Sequence, residues 1–144
     1  IVPAKYLPKL IHHVNRLVYI FVEPLDEPVK EISPTFPSPD AVRQLQLADD
    51  IVTRTLLKHD LNTSLSQVPV ISFPVHFGNP GDRSIAIRTF ITNDFMTGRP
   101  AIPDQDIPQS VVQEMVDRIL QEVPGISRVV YDLTAKPPGT TEWE

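Results

Sequence analysis

A lysine, two threonines, a carboxylate and the only tryptophan crowd the end of the sequence, as Lys136-Pro137-Pro138-Gly139-Thr140-Thr141-Glu142-Trp143. An ammonium held beside stiff neighbours can grip a phosphate through charge-assisted hydrogen bonds, each contributing about 1.5–3 kcal/mol. Pro137 and Pro138 supply the stiffness by fixing φ, and Gly139 allows a turn that residues with a Cβ avoid. Thr140 and Thr141 offer hydroxyls and backbone N–H groups to phosphate oxygens. Glu142 is the odd member, because a carboxylate repels phosphate. It belongs there only by accepting hydrogen bonds from ribose hydroxyls or a base, or by orienting Lys136. Trp143 suits packing better than base binding, since a buried indole adds core energy wherever it sits. Lysines and acids are ordinarily solvated, yet a terminus frays unless it is tied down. This composition predicts a terminus folded back to build a site.

Other polar candidates are single residues. Gln67 stands just before an apolar run, and by itself is one more loop amide. For Arg88 an ion pair and a contact to substrate or to another domain are both open. Asp94 suits the capping of a turn after its strand. His12 and His13 are adjacent, so on a helix they diverge by about a hundred degrees, unlike the i, i+4 pairs that bind zinc. His59 and His76 have no ligand-spaced partners, and no metal site is expected.

The elements that must position these residues can be read in order. Residues 4–13 have helical spacing interrupted by Pro8, and 15–22 reads as a strand. Prolines at 24, 28, 34, 37 and 39 impose an extended connection, either draped over another element or a flexible linker. Ser38-Pro39-Asp40 is a helix start, with a cap, a first-turn proline and an acid facing the dipole. That helix should reach about Lys58, with Val42, Leu45, Ala48, Val52 and Leu56 as its apolar stripe. Residues 68–77 and 84–95 read as an antiparallel hairpin, with Arg88 on the face opposite Ile85 and Ile87. Pro108 opens a second helix to about Val123, and Pro124-Gly125 ends it before a strand over 126–133.

Residues 14–19 (VNRLVY) repeat in phase at 126–131 (ISRVVY). The expected fold is therefore α+β, with two related lobes of mostly antiparallel sheet and helices on one face. Residues 1–37 would be the remnant of a first lobe plus its proline-rich connection, and 38–144 the second lobe.

Bulk properties exclude several classes. A net charge of −5 argues against a nonspecific nucleic-acid binder. No apolar run is long enough for a membrane span. With no cysteine there is neither a disulfide nor a thiol nucleophile. The 16 prolines are about twice the usual proportion, so stiff connections are expected.

The run Ile119-Leu120-Gln121-Glu122-Val123-Pro124-Gly125-Ile126-Ser127-Arg128-Val129-Val130-Tyr131-Asp132, with Lys136-Pro137-Pro138 and Thr141-Glu142-Trp143-Glu144 after it, resembles the C-terminal signature of glutamine-hydrolysing GMP synthetases. Gly139-Thr140-Thr141 and residues 88–98 (RTFITNDFMTG) resemble the eukaryotic branch. There is no SGGxDS-type pyrophosphatase loop, so the chain should be the C-terminal dimerisation and substrate part without the two catalytic domains, inactive alone. The resemblance implies that Lys136 binds the phosphate of xanthosine monophosphate (XMP) and that Gln67 and Glu142 contact the same substrate. Thr140, Thr141 and Arg88 join them as XMP-binding candidates, and no catalytic residue is expected in this part. It also implies ATP and Mg2+ in the full-length enzyme, partnership with its own ATP-pyrophosphatase domain, homodimer contact and a cytosolic setting. The competing reading is a purely structural dimerisation or docking module whose tail never meets nucleotide.

Overall fold

The structure, a computed structural model, describes residues 11, 14–22, 29, 32–77, 80–140 and 143. The expected helix over 4–13, apart from residue 11, and the candidates Thr141 and Glu142 lie outside them.

Among the described residues six strands and two helices follow one another: β1 (Val18–Ile20), α1 (Pro39–Lys58), β2 (Val70–Phe73), β3 (Arg83–Ile87), β4 (Phe90–Ile91), β5 (Arg99–Pro100), α2 (Gln109–Glu122) and β6 (Ile126–Asp132). Strands β1, β6, β3 and β2 form one sheet in that order, and β4 pairs with β5 in a separate ribbon. The β1–β6, β2–β3 and β4–β5 pairs are antiparallel, while β3 and β6 run parallel. That parallel pair is joined through α2, as parallel neighbours require a long crossover. The architecture is α+β and mostly antiparallel. The two segments of the sequence repeat lie side by side, since Val18 pairs with Asp132 and Ile20 with Val130.

Local chemistry sets the helix ends. The Ala41 N–H donates to the Ser38 hydroxyl at 3.2 Å, Pro39 opens the first turn of α1 and Asp40 faces its N-terminal dipole. Helix α2 begins after Pro108, and Gly125 takes φ +77 where the chain turns into β6. The two helices cover one face of the sheet. Ala48, Ile51, Val52 and Leu56 of α1 and Val112, Met115, Val116 and Ile119 of α2 share a core with Ile85, Ile87, Val129 and Tyr131.

Two expectations are corrected. Val42 is 47% exposed, and Ala41 takes the buried position at the start of the α1 stripe. One step of about 100° separates them on a helix, which carries Val42 off the sheet-facing side. The strand expected over 84–95 is broken at Arg88 and Thr89. Beyond the break, Phe90 leaves the main sheet and pairs with Gln67 and Pro100. The described end of the proline-rich connection is draped over the β2–β3 hairpin: the Ser33 N–H donates to the Pro74 carbonyl, and its hydroxyl donates to the Asp82 carbonyl.

Tyr131 ties the sheet to the loop after the ribbon. Its buried hydroxyl donates to the Ala101 carbonyl at 2.8 Å and makes a short contact with the Thr89 hydroxyl. Burial pushes its pKa up. Tyr131→Phe leaves both partners in the core without that hydroxyl. We expect a loss of about 1–3 kcal/mol, seen as a lower urea midpoint at constant slope. An unchanged midpoint would remove the tie from the account.

Candidate functional site

The tail leaves β6 at Asp132, the last residue of a central strand. Asp132 shares a sheet face with Val130, opposite Val129 and Tyr131, because side chains alternate along a strand. That sends Tyr131 into the helix-covered core and Asp132 to the other side. Asp132 is 0% exposed, and its carboxylate is a junction. Its Oδ1 accepts the Thr134 N–H at 2.7 Å. Its Oδ2 accepts Arg88 Nη1 at 2.5 Å, Trp143 Nε1 at 2.6 Å and Arg16 Nη1 at 3.4 Å.

Each of those donors holds another part of the tail or its surroundings. Arg88, 1% exposed, also donates from Nη1 to the Thr134 carbonyl at 3.1 Å, and its guanidinium lies over the Phe90 ring. Arg16 donates to the Thr140 carbonyl and to the Thr140 hydroxyl, both at 3.0 Å. The Trp143 ring packs at 4.9 Å from the Phe73 ring, with the Arg16 guanidinium over it at 5.6 Å. Thr134 adds a link to the segment before β1, its hydroxyl accepting the Leu17 N–H at 2.8 Å.

Lys136 sits where the tail meets the ribbon. Its N–H donates to the Gly98 carbonyl at 2.9 Å, and the Gly98 N–H returns a bond to the Lys136 carbonyl at 3.0 Å. Residue 98 has no room for a side chain, since a Cβ there would fall 2.4 Å from ring carbons of Phe90. The Lys136 ammonium donates to the Phe95 carbonyl at 3.1 Å. Asp94 organises the turn that presents that carbonyl. Its Oδ1 accepts the N–H groups of Thr97 at 2.8 Å and Met96 at 2.9 Å. Those two backbone donors, Thr97 first, hold its carboxyl below the usual aspartate range. Asp94 is thus the turn cap that its position after the strand suggested. The same turn leaves Phe95 62% and Met96 76% exposed beside Lys136.

The sequence candidates divide accordingly. Gln67 is exposed and exchanges backbone hydrogen bonds with Phe90 at one edge of the ribbon, while Lys136 is bonded to Gly98 at the other edge. Three strand spacings separate them, roughly 14 Å, so they flank one ribbon without touching. Thr140 is held by Arg16, and the described bonds of Arg88 are all within the chain. Sequence reasoning missed Arg16 and Asp132. The available signal was an aspartate directly after the apolar run Val129-Val130-Tyr131 of its strand. Among the described residues no group of three His, Asp or Glu could hold a metal ion, and no helix is long and apolar enough to cross a membrane.

Residues 54–143 match the family model described as the GMP synthase C terminal domain. The chain is 53% identical to the GMP synthase [glutamine-hydrolyzing] of Dictyostelium discoideum over 97% of its own length and 21% of that protein's. It is 39% identical to the probable GMP synthase of Caenorhabditis elegans over 98% of its length and 21% of the relative's. A Francisella philomiragia GMP synthase is 42% identical over 72% of the chain and 20% of the relative. The chain spans about one fifth of the length of these relatives. Both eukaryotic proteins match nearly all of it, as the residues after Lys136 suggested.

Two outcomes test the geometry. Asp132→Ala strands the Arg88 charge in the interior, so we expect a loss of about 3–5 kcal/mol by chemical denaturation. A variant within 1 kcal/mol of the parent, roughly the value of an exposed ion pair, would show that the junction carries no weight. The lowered pKa of Asp94 means that its turn adds stability above the ordinary value of 3.8, lost as the pH falls through the lower folded value. An NMR titration of the Asp94 carboxyl carbon should therefore show a midpoint below 3.8. A midpoint at or above it would contradict the cap.

Proposed function

The chain belongs to the GMP synthase C-terminal domain family, and from that premise we propose that it supplies one wall of the XMP site in a glutamine-hydrolysing GMP synthase. The reaction is amination of XMP to GMP. ATP, with Mg2+, adenylylates the C2 oxygen of XMP, and glutamine-derived ammonia displaces AMP. Those steps belong to the glutaminase and ATP-pyrophosphatase domains. This chain binds and orients, and it turns nothing over alone. The setting is the cytosol.

The observation that carries the reading is how Lys136 is held. Its backbone is fixed to Gly98 by two hydrogen bonds, and its ammonium is aimed along the Asp94 turn by the Phe95 carbonyl. This contact orients the ammonium. A cation positioned this way suits a phosphate monoester. Gln67, across the ribbon, contacts the same nucleotide in this reading, as the family resemblance implies. Glu142 and Thr141 contribute as the family resemblance implies, Glu142 accepting hydrogen bonds from ribose or base. Arg88 and Thr140 support the site through Asp132 and Arg16. The exposed Phe95 and Met96 give the neighbouring ATP-pyrophosphatase domain an apolar contact next to the cation, and a second subunit completes the assembly.

Lys136→Ala in the full-length enzyme should raise the KM for XMP roughly 10- to 100-fold, about the value of one charge-assisted hydrogen bond. The KM for ATP should stay within about twofold. Equal effects on both substrates, or none, would favour a purely structural dimerisation or docking module.

A further inference from the structure

We infer that Asp132 is a positioning residue for the substrate phosphate, acting through the indole N–H of Trp143 and through Arg16 to set the place of Lys136. The inference rests on the reading above, in which Lys136 meets phosphate.

Two ends of one loop converge on this carboxylate. Its Oδ1 takes the Thr134 N–H, two residues before Lys136, and its Oδ2 takes Trp143 Nε1, seven residues after it. Arg16 bridges the interior of the loop by bonding Asp132 and both oxygens of Thr140. The loop is packed against that clamp, because a Cβ at Gly139 would lie 2.7 Å from Arg16 Nη1 and 3.0 Å from Thr134 Cγ2. Lys136 therefore stands inside a loop closed at both ends. The closure is directional. The Trp143 ring could rest on Phe73 in more than one orientation, but only one turns its N–H onto a buried oxygen at 2.6 Å. The anchor at Asp132 is in turn fixed by Arg88 and by the register of β6 against β1.

A role confined to folding would lower stability and leave substrate affinities alone. Positioning predicts a selective effect that runs through Lys136. Trp143→Phe keeps the ring on Phe73, removes one N–H and leaves the Arg88–Asp132 pair intact. In the full-length enzyme it should raise the KM for XMP roughly 5- to 30-fold, with the KM for ATP little changed. Should this variant fold poorly, Arg16→Gln tests the same clamp from the Thr140 side and should give the same signature. The decisive comparison is the double variant. Combined with Lys136→Ala, Trp143→Phe should add no further increase, because residues that act as one unit are not additive. If Lys136→Ala raises the KM for XMP while Trp143→Phe leaves it alone, or the two effects multiply, the positioning role is wrong and the substrate reading stands. If Lys136→Ala itself has no selective effect, the substrate reading fails and the positioning role fails with it.

Discussion

A carboxylate with no access to water has to be surrounded by donors, and Asp132 organises its side of the sheet for that reason. Moving a carboxylate and a guanidinium into a protein interior costs several kcal/mol per ion, and their attraction alone often fails to offset it. Here the offset comes from number. Asp132 accepts from Thr134, Arg88, Trp143 and Arg16, and Arg88 has a second acceptor in the Thr134 carbonyl. Arg88 Nη2 remains buried without a hydrogen-bond partner, so the network is not arranged for maximal stability. Buried polar networks of this kind select one arrangement over its competitors. The arrangement selected here is a tail folded back on the strand from which it emerges.

Strand register decides which residue plays this part. Along β6 the side chains alternate, and a slip of one residue would exchange Asp132 for Tyr131 or Leu133. Tyr131 would then lose its bond to Ala101, and Arg88 would face an apolar neighbour. The register is held from both sides, by β1 through Val18 and Ile20 and by β3 through Ile85, Ala86 and Ile87. The helices enter the same argument, because Val129 and Tyr131 must meet the core formed by α1 and α2 for Asp132 to face away from it. Packing on one face of the sheet thus places chemistry on the other.

Features written in local chemistry were legible in the sequence. The start of α1 follows from three consecutive residues, the end of α2 from Pro124-Gly125, and the Asp94 turn from an acid placed after a strand. The β2–β3 hairpin could also be read, since its strands are close in sequence. What could not be read depends on distant partners. The break after Ile87 is set by Asp132, 44 residues beyond Arg88, and by the Phe90 pairing with Gln67 and Pro100. The clamp on Thr140 comes from Arg16, 124 residues earlier. Val42 was misread because periodicity gives a stripe but not its phase to within one residue. Lys136 stood out by type, but its aim depends on a carbonyl in a different loop. The family resemblance supplied the proposed identity of the site, and the fold shows what holds Lys136.

That reason is partly entropic. With a net charge of −5, the chain as a whole does not draw in an anion at a distance, and screening over about 8–10 Å removes most of any long-range field. Attraction for a phosphate must therefore come at contact, where one ammonium supplies about 1.5–3 kcal/mol. Fixing the backbone of a single loose residue costs about 1–2 kcal/mol. A lysine on an untethered tail would spend that gain on ordering only two or three of its neighbours. The Gly98 pairing, the Arg16 clamp and the Trp143 seat move the ordering into the folding of the domain. In the proposed role, a contact with phosphate is then free to appear as affinity, which gives the hydrogen bonding around Lys136 a purpose.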